Sequence, residues 1–294
     1  VGPADDVPID KNLNEKIVMI EDNDFFKSSL QTTIFKPPGN GPFPMVIFNH
    51  GHAPGALVYG RFQERERSIF FTREMLKRGY VVVNPMRKGY AGSGGGRPRA
   101  FSNQYEDVVT TYKYMINQGY IDQTKILIAG QSLGGYVSMM IASKNELIPN
   151  LKGVINFAGG LPTSHNVKFE DELSKFSKQD NTPSLWVYGD NDYLTNPEKL
   201  KLLIEAYQKN HPNFEVIRTG NFKYDDAHGL IYHPNGLDFW VPAMDNFLEK
   251  IGLPSKVINK IKYRTSKFND FESIDESQSD QEQLKLMRTN KNQW

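Results

Sequence analysis

The sequence predicts an α/β protein, with a mostly parallel central sheet, helices on both faces and an antiparallel N-terminal edge. Three observations predict it. Short unbroken apolar runs such as "MVIFNHG", "YVVVNP" and "KILIAG" have the character of strands buried on both faces. Segments with apolar residues at helical spacing separate these runs. Strand and helix alternate along one chain, which implies right-handed βαβ units.

Taken in order, "EKIVMIE" and "SSLQTTIF" read as two strands joined by a tight turn at Asp22, Asn23 and Asp24, and this pair supplies the antiparallel edge. After the loop "KPPGNGPFP" comes the buried run "MVIFNHG". Residues 63–78 carry helical spacing with Phe70, Phe71, Met75 and Leu76 on the apolar side, and Gly79 stands where that helix stops. "YVVVNP" is the next strand, followed by a helix over 104–118, the strand "KILIAG" and a helix over 133–144. "LKGVINFAG" and "PSLWVYG" are strands, Asn196–Asn210 is a helix opened by Pro197, "FEVIRTG" is the last strand and Gly236–Lys250 the last long helix.

Composition narrows the function classes. The 294 residues are 38% hydrophobic, and 35 basic against 34 acidic side chains give a net charge of +1. That balance gives nucleic acid or an anionic membrane no hold. No apolar run approaches the ~18 residues of a membrane span. The absence of cysteine excludes disulfides, thiolate metal sites and a cysteine nucleophile. A start at Val1 is what signal-peptide removal would leave, and equally what other trimming would leave, so the expectation favours an exported location only slightly over a cytoplasmic one. Residues 1–253 read as one catalytic domain. Residues 254–294 are a polar, charge-mixed extension expected to pack weakly or to be disordered, with no part in the chemistry.

Gly130, Ser132 and Gly134 form G-x-S-x-G between a strand and a helix. A sharp strand–turn–helix junction forces the serine into a strained backbone conformation and needs neighbours without Cβ atoms, which the glycines supply. Ser132 is therefore the candidate nucleophile; the alternative is a helix N-cap serine. A serine hydroxyl needs a base. In a Ser…Asp…His order the base lies between the last strand and the last helix, in "KYDDAHGLIYHPNG", where His228 is best placed and His233 second. The orienting acid belongs just past the preceding strand, in "YGDND". Asp192 is favoured there over Asp190 because it lies deeper in the loop, and Asp225 and Asp226 stand too near His228 in sequence.

Oxyanion donors are expected from the amide of Leu133, directly after the nucleophile, and from Gly51 or His52 in "FNHGHAPG". His50 and His52 also have spacing that could share a zinc, but no third ligand cluster accompanies them, so no metal is expected. "GYAGSGGGRPR" lacks the Lys-Ser/Thr of a phosphate loop; Arg87, Lys88, Arg97 and Arg99 read as solvated charge or as contacts to an acidic substrate.

With "NHGH", "GQSLGG", "YGDND" and "AHG" in that order over residues 15–250, the chain resembles the α/β-hydrolase superfamily, and within it the dienelactone-hydrolase and prolyl-oligopeptidase-like serine hydrolases. "RKGYAGSGGG" is similar to their Arg-x-Gly-x-Gly-x-Ser loop, with Ala91 in place of a glycine. The resemblance implies the α/β-hydrolase fold and hydrolysis through an acyl-enzyme, without a cofactor. Dienelactone hydrolases use a cysteine nucleophile, absent here, and oligopeptidases carry a propeller for which this chain has no room. The expected activity is hydrolysis of carboxylic esters. The alternatives are a peptidase or amidase acting on short peptides, or a binding protein on an inactivated hydrolase fold. About two dozen residues between Gly159 and Pro183 leave room for a loop and a short helix, so an open pocket and short-chain or moderately bulky esters are expected.

Overall fold

The apolar runs become the strands of one eight-stranded sheet ordered β1-β2-β4-β3-β5-β6-β7-β8. The computed structural model describes residues 8–22, 28–52, 64–95, 98–161 and 167–261. The strands are β1 (Glu15–Glu21), β2 (Ser29–Phe35), β3 (Phe43–Asn49), β4 (Val81–Pro85), β5 (Ile121–Gln131), β6 (Leu151–Phe157), β7 (Ser184–Tyr188) and β8 (Phe214–Arg218). β1 pairs antiparallel with β2, and β2 antiparallel with β4, while every pairing from β4 through β8 is parallel. Asn23 and Asp24 of the turn expected between β1 and β2 lie outside the described residues.

Among the described residues six α-helices cover the sheet: α1 (Ile69–Lys77), α2 (Tyr105–Ile116), α3 (Leu133–Ala142), α4 (Phe169–Phe176), α5 (Pro197–Gln208) and α6 (Leu237–Lys250). Because successive strand residues point to opposite faces, each apolar run feeds two cores. Met45, Ile47, Ile126 and Ile128 join α2, α3, α4 and α5 on one face. Val46, Phe48, Leu127 and Ala129 join α1 and α6 on the other. Phe70, Phe71, Met75 and Leu76, the apolar side read from the sequence, all fall in the second core. α5 opens as its sequence dictates, with Asn196 accepting from the Lys199 amide at 2.9 Å and Pro197 in the first turn. α1 closes at Gly79, whose φ of +85° suits a residue without Cβ.

The first residues of the polar extension are docked. The amides of Ile258 and Asn259 donate to the Lys77 carbonyl at 2.8 and 2.9 Å, and Asn259 Nδ2 donates to the Leu76 carbonyl at 3.0 Å. They satisfy carbonyls that the end of α1 leaves without helical partners. Tyr80 donates its hydroxyl to the Pro254 carbonyl at 2.9 Å. Residues 262–294 lie outside the described residues.

The strand order fixes where a site can form. β3 continues through α1 to β4 on one side of it, whereas β5 lies on its other side. The crossovers therefore diverge between β3 and β5, and a crevice opens beyond their carboxyl ends. Asn49 stands opposite Gly130 in that pair, so the residues just past each, His50–Gly51 and Gln131–Ser132, emerge side by side.

Candidate active site

Ser132 occupies the junction of β5 and α3 with φ 54° and ψ −122°. A non-glycine residue held there carries strain of order 1–3 kcal/mol, which the surroundings must impose. They do so on both sides. The Ser132 amide donates to the Phe157 carbonyl at 3.0 Å, and its carbonyl accepts from the amides of Tyr136 at 3.2 Å and Gly160 at 3.1 Å. Side chains are excluded around it: a Cβ on Gly134 would overlap the Asn49 carbonyl, and one on Gly130 would overlap the backbone of Gly134. Ser132 stands at the N-cap position of α3, but its side chain makes no capping hydrogen bond. Leu133 is the first residue of α3, where amides have no intrahelical acceptor.

Asp192 and His228 meet beyond the carboxyl ends of β7 and β8. His228 Nδ1 lies 3.0 Å from Asp192 Oδ2 and 3.2 Å from Oδ1. The carboxylate is fully buried and is fixed by the amides of Leu194 at 2.8 Å and Thr195 at 3.0 Å. With Nδ1–H donating to Asp192, Nε2 is left as the basic nitrogen of the ring. Asp226 holds the backbone of the histidine turn, Ala227–Tyr232, by accepting from the His228 amide at 2.7 Å. Asp190 faces outward, where Arg218 Nη2 pairs with it at 2.6 Å. His233 turns away, accepting from the Asn235 amide at 3.1 Å and stacking on Tyr224. The exposed Tyr193 ring meets the His228 ring edge-on, with centroids 5.1 Å apart.

Among the described residues no hydrogen bond joins Ser132 Oγ to the imidazole; catalytic hydrogen bonds are often long before substrate arrives. The two loops are tied instead by Gln131, whose Nε2 donates to the His228 carbonyl at 2.8 Å.

The "NHGH" turn lies against the serine. A Cβ on Gly51 would stand 3.4 Å from Ser132 Cβ and 2.5 Å from Gln131 Oε1, so a side chain there would push the Gln131 amide aside. His50 is buried behind the turn. Its Nε2 accepts from the Arg87 amide at 3.1 Å, so Nδ1 carries the proton and donates to the Gly51 carbonyl at 2.7 Å. Burial, with Arg87 nearby, holds the His50 pKa well below the usual histidine value and keeps the ring neutral. Both nitrogens are thus engaged by protein groups. Among the described residues no three His, Cys, Asp or Glu side chains cluster as a metal site would require. His52 Nδ1 lies 2.9 Å from the Tyr90 hydroxyl.

The described basic residues of the Gly-rich loop are engaged by protein groups. Arg87 is completely buried, Lys88 is buried in an ion pair with Asp22, and Arg99 bonds Asp107 at 2.9 Å. Arg97 lies outside the described residues, as does His165. Sequence reasoning gave no role to Gln131 or Tyr90, and it read Arg87 as solvated charge or a substrate contact, whereas Arg87 is buried against the His50–Gly51 turn.

The model of the prolyl oligopeptidase family matches residues 67–147, a span that includes the serine junction but neither the Asp192 nor the His228 loop. An esterase of Pyrococcus furiosus, Pf2001, superposes with a TM-score of 0.61 at 16% identity, over 85% of this chain and 97% of that one. Est1E of Butyrivibrio proteoclasticus, solved with ferulic acid bound, superposes with a TM-score of 0.59 at 17% identity, over 79% of this chain and 98% of that one. An Escherichia coli protein described as an "uncharacterized 31.7 kDa protein in traX-finO intergenic region" is 23% identical over 189 residues, 61% of this chain and 63% of that protein. The chain thus spans less than two thirds of the length of this curated relative. On sheet order and these superpositions together, the chain has the α/β-hydrolase fold, and its segment 67–147 is similar to the prolyl oligopeptidase family.

Proposed function

We propose that the protein hydrolyses carboxylic esters, with Ser132 as nucleophile, His228 as general base and Asp192 as the group that orients and stabilises the imidazolium. Ser132 Oγ attacks the acyl carbon while Nε2 of His228 takes its proton. The carbonyl oxygen becomes an oxyanion and rests on the amides of Leu133 and of Gly51 or His52. Collapse of the tetrahedral intermediate expels the alcohol, which receives the proton from His228. Water, deprotonated by His228, then attacks the acyl-enzyme and releases the acid. Each well-aimed oxyanion donor contributes about 10²- to 10³-fold to turnover. No cofactor enters these steps.

The observation that carries this reading is the pairing of His228 with the fully buried Asp192 carboxylate, tied to the serine junction through Gln131. A p-nitrophenyl ester series tests it. Turnover is expected to be highest on short or moderately bulky acyl groups; activity rising steadily to long acyl chains would contradict the open pocket. The family match favours a second reading, a peptidase acting on short peptides through the same residues. Peptide p-nitroanilides assayed beside the esters separate the two.

A further inference from the structure

The hydrogen bonds of one buried cation, Arg87, converge on the turn beside Ser132. We propose that Arg87 is a positioning residue that holds the His50–Gly51–His52 backbone as an oxyanion-binding turn, an inference that rests on the hydrolase reading above. Arg87 follows β4, the strand parallel to β3, so its side chain starts next to the end of β3, where the turn begins. Its Nη2 donates to the His50 carbonyl at 2.7 Å and to the Gly51 carbonyl at 3.2 Å. Its Nε donates to Gln104 Oε1 at 2.6 Å, and its own amide donates to His50 Nε2. The His50 ring donates to the Gly51 carbonyl, which therefore accepts from both sides of this network.

Peptide planarity converts those contacts into a direction. In a trans peptide the carbonyl and the following N–H point opposite ways. Drawing two successive carbonyls toward one guanidinium turns the amides of Gly51 and His52 to the other side, the arrangement of an anion-binding nest. A Cβ built on Gly51 would stand 3.4 Å from Ser132 Cβ, so the turn that carries these amides runs beside the serine. Burying a guanidinium costs less where hydrogen bonds replace its water, and here carbonyls bond Nη2 and Gln104 bonds Nε, while Nη1 has no hydrogen-bond partner among the described residues. Burial draws its pKa down only to about 10, which leaves it charged at neutral pH. That charge sits behind the carbonyls and favours negative charge on the amide side.

The test compares wild type with Arg87→Lys, which keeps charge but not the fork, and with Gln104→Leu, which frees Nε without touching the turn. Folding is checked by circular dichroism and thermal unfolding in the same preparations. On a p-nitrophenyl ester, kcat for folded Arg87→Lys is expected to fall about 10- to 100-fold with KM nearly unchanged. The affinity of an aryl trifluoromethyl ketone, whose hemiketal oxyanion needs the same amides, is expected to fall by a similar factor. Gln104→Leu is expected to show the same pattern more weakly. If Arg87→Lys does not fold, Gln104→Leu decides alone. Wild-type kcat in a folded variant, or a fall in kcat with ketone affinity unchanged, would overturn the proposal while leaving the hydrolase reading standing. A wild type inactive on esters and peptides, and unlabelled by a fluorophosphonate, would overturn both.

Discussion

Gln131 Nε2 donates to the main-chain oxygen of His228 at 2.8 Å, so the residue before the serine holds the loop that carries the base. The same side chain lies beside Gly51. One glutamine thereby sets three loops against each other: those after β3, β5 and β8. Replacing it with leucine keeps the bulk and removes the bond. Gln131→Leu is expected to lower kcat about tenfold with a small change in KM, and to cost about 1 kcal/mol of stability. Steady-state kinetics and urea unfolding of the same sample check both.

The two aspartates after β7 are expected to behave differently. Asp192 is buried against His228, whereas Asp190 pairs with Arg218 at the surface. Asp192→Asn is expected to reduce kcat by about 10²- to 10⁴-fold, because an amide no longer enforces the productive tautomer. Asp190→Asn removes only an exposed pair and is expected to leave turnover about unchanged. The reverse ranking would reassign the acid.

Gly134→Ala tests the packing behind the serine junction. The added methyl would overlap the Asn49 carbonyl, a backbone atom of β3 that cannot swing aside. A loss of about 3 kcal/mol or more is expected, read as a lowered urea midpoint or as failure to accumulate folded protein.

His50 gives stability a pH dependence with a definite sign. Its pKa is lowered in the fold, so below about pH 6.5 the unfolded chain binds a proton that the folded chain refuses. The contribution of neutral His50 is complete above that pH and is lost as pH falls toward the folded value, at no more than about 1.4 kcal/mol per pH unit. Buried Asp107 and Asp180, whose pKa values are raised, act in the opposite sense, so the informative quantity is a difference between proteins. His50→Asn is expected to be less stable than wild type at about pH 7 and to lose less on acidification to about pH 5.5. Denaturant unfolding at the two pH values measures this.

The fold was legible to the extent that period and punctuation carry it. β1 spans the residues of "EKIVMIE", and the buried side of α1 is the side its spacing marks. Strand order was not legible, because an apolar run buried on both faces does not specify its neighbours. α6 runs through Pro242, as the reading of Gly236–Lys250 as one helix expects, although proline inside a helix removes a backbone hydrogen bond. In the site, chain order led to Ser132, Asp192 and His228 as candidates; they lie after three different strands at the carboxyl edge of the sheet, and the structure pairs the last two. Arg87 was not legible as a buried group. Arginine is almost never fully buried unless paired, and its partners here are main-chain carbonyls and Gln104, which no sequence pattern announces.

The whole mechanism turns on Ser132 being a nucleophile activated by His228. Labelling with a fluorophosphonate probe, read by intact mass, tests this without any choice of substrate. One adduct is expected on wild type, mapped to Ser132, with none on Ser132→Ala and strongly slowed labelling of His228→Ala. Wild-type protein that stays unlabelled, or an adduct that persists in Ser132→Ala, would contradict it.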